Sequence, residues 1–419
     1  MRRKGLRVIA EGGELGDGAR PFRRRVFYIP GYDPIHPRRY RELYRKEGAD
    51  QALISGYDIA LKPKKVKGLY GWHVTATMEG IRTESDVEVL VWSDIVRDSM
   101  DPSIPGTYLQ LLRTAWAYIG SGALFRLMRL RKGPMIAALY PIFALLLQLA
   151  LAVAAGWGMG MLVNALMPPV VSGLAGGLVG VALAYLTLRW FRRKDGKIFA
   201  YYLMHDYAFT AQSGGANPAA LEARMAAFRF AIAEAMRGDF DEVLVVGHSS
   251  GAHLAVSVLA DLIREGEAAG SPALAFLSLG QVVPMVSFLP KAQRLRADLQ
   301  YLSTRPEVTW VDVTAPGDGC AFALCDPVSV SGVATEGKLW PLVLSAAFTQ
   351  TLSPERWAAL RWRFFRLHFQ YLCAFDRPGD YDYFRITAGP VTLGARYAGR
   401  PASKSRIERP TSRYRSLAA

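Results

Sequence analysis

Apolar and polar positions along this chain follow two rhythms, one of period two and one of period 3.6. Near the N-terminus, Arg25–Ile29 (RVFYI) is a short apolar run that ends in Pro30-Gly31-Tyr32-Asp33-Pro34, so a strand followed by a loop is expected. Arg38–Ala52 carries apolar residues at helical spacing, whereas Tyr57–Leu61 and Trp72–Met78 alternate as half-buried strands do. Val87–Trp92 (VEVLVW) is apolar enough for a strand covered on both faces, and Thr107–Leu130 reads as one long helix. The pattern resumes after Pro218. A helix over Pro218–Arg237 is followed by a buried strand at Asp241–Val246, a helix at Ala252–Glu265, and strands at Leu274–Leu279 and Val308–Val313. Strands that alternate with helices imply an α/β fold, a mostly parallel sheet flanked by helices.

One segment breaks both rhythms. From Pro134 to Leu188 there is no Asp, Glu, Lys or Arg. A hydrocarbon core of about 30 Å needs roughly 20 apolar residues per helix. Tyr140–Leu162 and Val170–Leu188 each meet that need, and Asn164–Pro169 between them ends in two prolines that stop one helix and start the next. The segment therefore reads as a transmembrane helical hairpin rather than the buried hairpin of a soluble core. Basic residues stand on both flanks: Arg126, Arg129, Arg131 and Lys132 before it, Arg189, Arg192, Arg193 and Lys194 after it. The preference of Lys and Arg for the cytoplasmic side puts both ends, and the bulk of the chain, in the cytoplasm. Gly156 and Gly160, Gly173 and Gly177, and Gly176 and Gly180 are each four apart, the spacing that lets helix backbones approach in lipid.

The chain thus divides into a basic N-terminal segment (1–24), a globular part in two stretches (25–133 and 191–388), the hairpin (134–190), and a basic tail (389–419) that reads as loop-rich and poorly ordered. A net charge of +15 would suit nucleic acid or an anionic membrane surface. No zinc-finger or RNA-recognition signature accompanies it, and with an anchor present the lipid bilayer is the expected partner and nucleic acid is not. Three cysteines are too few and too irregular for a disulfide framework or a zinc site, so no metal and no cofactor is expected. The N-terminal stretch has basic residues but no apolar run behind them, unlike a secretory signal.

Gly247-His248-Ser249-Ser250-Gly251 matches G-x-S-x-G and lies between the strand DEVLVV and the helix AHLAVSVLADL. A sharp strand-to-helix turn needs a small residue at both ends, because a side chain there would meet neighbouring backbone. It presents the middle serine outward, beside the positive end of the helix. On these residues the sequence resembles the α/β-hydrolase superfamily, lipase- and esterase-like serine hydrolases, over roughly Arg25–His368 with the hairpin set aside.

The resemblance implies a catalytic Ser249 followed in the chain by an acid and then a histidine. Only His368, in RLHFQYL, lies downstream of the serine helix; its alternative role is a buried histidine packed among Phe364, Phe365 and Phe369. His248 and His253 read as structural, His248 pointing elsewhere. The acid belongs after the strand VTWVDV. Asp318 is favoured there, Asp326 in an Asp-Pro-Val sequence is the alternative, and Asp312 within the strand is the least suitable. Oxyanion donors would be the backbone N–H of Ser250 and, from the IPGYD loop, that of Tyr32. Together with the anchor, the resemblance implies a membrane-anchored serine hydrolase that cleaves an ester or thioester through an acyl-serine, and a lipid is the expected substrate. An acyltransferase using the same serine and an inactive hydrolase-fold membrane scaffold are the alternatives.

Overall fold

The computed structural model describes residues 20–64, 68–100, 103–268, 270 and 272–418. Among these residues eight strands form one sheet: β1 (Phe22–Ile29), β2 (Asp58–Pro63), β3 (Gly71–Met78), β4 (Ile81–Val89), β5 (Glu242–His248), β6 (Ala273–Leu279), β7 (Val308–Thr314) and β8 (Leu342–Ser345), in the order β2-β3-β4-β1-β5-β6-β7-β8. The pairs β2–β3 and β3–β4 are antiparallel, and every other neighbouring pair is parallel. This is the α/β, mostly parallel sheet expected.

Period-two alternation places the two faces of the central strands in two cores. Phe27, Ile29, Val243, Val245, Phe276 and Trp310 pack against the helices Ala219–Met236, Gly251–Arg264 and Gln293–Ser303. Val26, Tyr28, Leu244, Val246, Leu277 and Val311 face the helix Arg38–Ser55 and the C-terminal helices. With both faces covered, β5 is buried along its whole length, which is why it reads as an unbroken apolar run.

Several elements differ from the sequence pattern. β4 runs over 81–89 rather than 87–92, because the turn at Glu79-Gly80, both at positive φ, sends the chain straight back from β3. The helix expected over 107–130 is two helices, Ile104–Gly120 and Ala123–Leu130, parted at Gly122 with φ 73°. β1 starts at Phe22, inside the segment assigned to the basic N-terminus, most of which lies outside the described residues. The reason is Arg24. Its guanidinium is fully buried, so it must find acceptors. Its Nε donates to Glu242 Oε2 at 2.5 Å, and its terminal nitrogens donate to the carbonyls of Gly389 and Val391 at 2.6 and 2.7 Å.

That cluster also corrects the expectation of a poorly ordered tail. Leu393 N–H donates to Glu242 Oε1 at 2.6 Å, Asp326 and Ile407 share a backbone bond of 2.9 Å, and Arg296 Nε reaches the Ser416 carbonyl at 2.9 Å. The tail lies along the domain and is held there by backbone groups, which its basic composition does not announce.

The apolar segment forms two helices, Lys132–Leu166 and Pro169–Arg193, each long and apolar enough to cross a membrane. They pack through the glycines. A side chain on Gly156 would strike the Gly180 carbonyl, and one on Gly160 would come within 2.9 Å of the Gly176 carbonyl. Gly173 and Gly177, by contrast, face open space. At 1.5 Å per residue the first helix is about 52 Å long, more than a hydrocarbon core needs. Its first turns use the surplus: Met135, Ala138 and Leu145 are buried against the domain.

Candidate active site

Chain order sends β1 to β4 on one side and, after the hairpin, to β5 on the other, so the crevice beyond the carboxyl end of β1 is a topological switch point. Ligands of open α/β sheets bind there. Two loops meet in it. Pro30–Tyr32 leaves β1, and the turn Gly247–Gly251 leaves β5. The glycines of that turn are obligatory: a Cβ on Gly247 would lie 2.7 Å from Ala252 Cα, and one on Gly251 would collide with the carbonyls of Ile29 and Pro30. Ser249 between them has φ 56°, a left-handed conformation that costs about 1–3 kcal/mol for a residue with a side chain. Its N–H donates to the Leu279 carbonyl at 2.9 Å. Across the crevice, a Cβ on Gly31 would stand 2.9 Å from Ser249 Cβ and 3.4 Å from its Oγ. Among the described residues no backbone hydrogen bond uses the N–H of Tyr32 or of Ser250, so both remain available beside the serine.

His368 ends the short helix Phe364–His368 and is buried. Its Nδ1 donates to Asp318 Oδ2 at 2.7 Å. Because a carboxylate only accepts, Nδ1 carries a proton, and in the neutral ring Nε2 is then the nitrogen with a free lone pair, the tautomer a base needs. Nε2 is buried with no hydrogen-bond partner, and among the described residues no hydrogen bond joins it to Ser249 Oγ. The ring fits because position 280 is glycine, at φ 53°; a Cβ there would lie 3.0 Å from His368 Cε1 and 2.7 Å from Tyr371 Cε2. Gly280 directly follows Leu279, the residue whose carbonyl holds the serine turn.

Asp318, in the loop after β7, is buried and fully engaged. Oδ2 also accepts from Tyr371 Oη at 3.0 Å, and Oδ1 accepts from the Cys320 N–H at 2.9 Å. The Ala315 N–H donates to Tyr371 Oη at 2.9 Å, which fixes the direction of the tyrosine's own proton. Burial alone would raise the Asp318 carboxyl, but the His368 imidazole and these donors outweigh it and hold it below the usual carboxylate range. Asp326 is elsewhere. It caps the helix Pro327–Val330 through the N–H groups of Val328 and Ser329 and pairs with Lys338. Asp312 is bound to Ser278 Oγ at 2.5 Å inside the sheet. Of the three candidate acids, Asp318 alone reaches His368 among the described contacts. Asp318, Cys320 and His368 also have donor atoms within 4.8 Å of one another. Of these atoms, His368 Nδ1 and Asp318 Oδ2 are engaged with each other, and burial pushes the Cys320 thiol far up.

Three further groups carry no signal in the sequence. His248 does not point away: its ring centre lies 4.8 Å from that of His368, and Nε2 donates to the His368 carbonyl at 3.0 Å. Tyr371, on the one-turn helix Gln370–Leu372, orients the acid. Asp206, on the helix Ala200–Ala211 that follows the hairpin, is a half-buried residue whose carboxyl lies in the field of His368 and whose charge is felt by the hydroxyls of Tyr32, Tyr118, Tyr202 and Tyr207. Burial pushes it up to about 7, against the opposing pull of His368. The same helix roofs the crevice: Tyr202 Oη donates to the Tyr32 carbonyl, and its ring lies 5.9 Å from that of Phe365. Nothing local marks these residues, since their partners are distant in the chain or lie across the hairpin.

The chain matches no family model, no curated protein and no solved structure.

Proposed function

We propose that this chain is a membrane-anchored serine hydrolase of the α/β-hydrolase type that cleaves an ester or thioester of a lipid. The observation that carries the reading is the buried Asp318–His368 pair, whose ring lies over Gly280, directly after the Leu279 carbonyl that holds Ser249 in its strained strand-to-helix turn. In the reaction Ser249 Oγ attacks the acyl carbonyl carbon while His368 Nε2 takes the hydroxyl proton, and Asp318 stabilises the imidazolium. The N–H groups of Ser250 and Tyr32 receive the negative oxygen, each such donor being worth roughly 3–4 kcal/mol of barrier. The leaving alcohol or thiol takes the proton from Nε2 as the carbonyl re-forms. Water then repeats the sequence, with His368 as base and afterwards acid, and releases the carboxylic acid.

The two apolar helices support the anchor, and their doubled basic flanks favour a cytoplasmic domain. A fluorophosphonate probe tests the chemistry on the full chain in membranes. Labelling should be present in the parent, absent in Ser249→Ala and retained in Ser250→Ala. A parent that takes no label would leave a hydrolase-like scaffold instead.

A further inference from the structure

The stretch from Pro102 to Lys194 holds nine Lys and Arg and no Asp or Glu. The hairpin itself accounts for only part of it. The helix Ile104–Gly120 leans on the hairpin, with Tyr108 Oη donating to the Leu145 carbonyl at 2.9 Å. It buries Thr107, Leu111, Thr114 and Tyr118 on one face. On the other it turns Leu112, Trp116 and Ile119 outward, at spacings of four and three; Leu112 is 65% and Trp116 80% exposed. A helix apolar on its buried and its exposed face is not a water-facing helix.

A second exposed apolar group lies at Arg361–Arg366 (RWRFFR), where aromatic rings alternate with arginines. Trp362 is 73% exposed and Phe364 is also exposed. Both ends of the hairpin bracket this segment. On the entering side, Phe364 lies against Gly319, and a Cβ on Gly133, in the first turn of the hairpin, would sit 3.5 Å from Gly319 Cα. On the returning side, the Phe365 ring lies 4.9 Å from Phe199, which stands shortly past Arg193. The segment leads directly into His368.

We infer that Trp116 on the helix Ile104–Gly120 and Trp362 ahead of the base are seated in the anionic membrane surface around the foot of the hairpin, so that substrate reaches the crevice from the bilayer. Indole rings favour the headgroup level, and arginines beside them meet anionic lipid while their stems lie along apolar surface. The acid-free composition of Pro102–Lys194 removes the repulsion that carboxylates would meet there. The site then has its acid loop touching one membrane helix and its base carried on a segment inserted beside the other. Only the route of the substrate rests on the hydrolase reading; the seating of the two tryptophans does not.

The test uses the full chain in vesicles of neutral and anionic phospholipid, with and without bromine on the upper acyl carbons. Subtracting the emission of Trp116→Phe or Trp362→Phe from that of the parent isolates each indole. Seated indoles lose half or more of that difference signal in brominated vesicles and resist aqueous acrylamide. Quenching by acrylamide with no response to bromine overturns the seating. Trp362→Glu reads the route: hydrolysis of a bilayer-embedded long-chain ester should fall tenfold or more, while a water-soluble short ester and fluorophosphonate labelling hold at the parental level. An equal fall on both esters, or none, overturns the route. A parent that neither hydrolyses nor labels defeats the hydrolase reading and the route with it, while the quenching still decides the seating.

Discussion

His248 Nε2 donates to the backbone carbonyl of His368 at 3.0 Å, so the residue just before the candidate nucleophile holds the residue that would deprotonate it. A carbonyl only accepts, so Nε2 bears the proton and Nδ1 faces Tyr28 Oη at 3.4 Å. Burial first, and the neighbouring His368 second, push His248 down to about 3. It therefore stays neutral at physiological pH and adds no charge beside the imidazolium that would form during turnover. His248→Phe keeps a ring in place and removes the bond. Steady-state kinetics should show kcat lower by about 10–100-fold with KM near the parental value, as expected for a base displaced by a fraction of an ångström. An unchanged kcat would mean that the short helix alone suffices to hold the base.

The two acids separate in the same assay. Asp318→Asn keeps the shape of the loop but favours the wrong imidazole tautomer, and a loss of about 10³–10⁴ in kcat is expected. Asp326→Asn should leave kcat within a few-fold and lower Tm, since the amide still caps the helix but no longer pairs with the Lys338 ammonium, which is left without its buried partner. If Asp326→Asn were the variant that lost turnover, the acid role would pass to it.

Gly31 is open to a steric test. The methyl group of Gly31→Ala would fall 2.9 Å from Ser249 Cβ, against a turn that cannot retreat because Gly251 already touches the Ile29 and Pro30 carbonyls. Folding should survive, with Tm within a few degrees of the parent, while the rate of fluorophosphonate labelling drops by about tenfold or more. Parental labelling would show that the loop yields.

Asp206 gives a pH signature. Its folded carboxyl is raised to about 7, whereas the unfolded group titrates near 4. Between these values the folded chain binds the extra proton, so this group makes stability fall as pH rises from about 4 to 7. Asp206→Asn removes that slope. Relative to the parent, the variant should gain Tm at pH 8 and gain little or nothing at pH 4, by thermal denaturation in matched detergent. A constant difference across that range would mean that Asp206 is ionised at both ends.

Much of the sheet is readable because burial on both faces writes itself as apolar runs; β5, β6 and β7 lie within a residue or two of DEVLVV, Leu274–Leu279 and VTWVDV. β8 is not, because Leu342–Ser345 is only four residues long and comes after Trp340-Pro341, which reads as a turn. The serine turn is legible from its glycines, whose role is local. His368 and Asp318 are reached only through chain order, since their meeting depends on the packing of a short helix that no periodicity marks. His248, Tyr371 and Asp206 are not legible as site residues at all. Each acts through contacts set by the third dimension, and Asp206 is separated from β4 by the whole hairpin.

The central place of β1 has a consequence for biosynthesis. It leaves the ribosome before the other seven described strands, yet its partner β5 and the glutamate that neutralises Arg24 are made only after both apolar helices. The carbonyls that complete the Arg24 cluster, at Gly389 and Val391, come later still. The nascent polypeptide therefore has its hairpin ready for lipid while the half of the sheet that carries Ser249 is still untranslated. With the hairpin inserted as proposed, maturation would come after insertion, and the crevice would close only on a molecule already delivered to its destination.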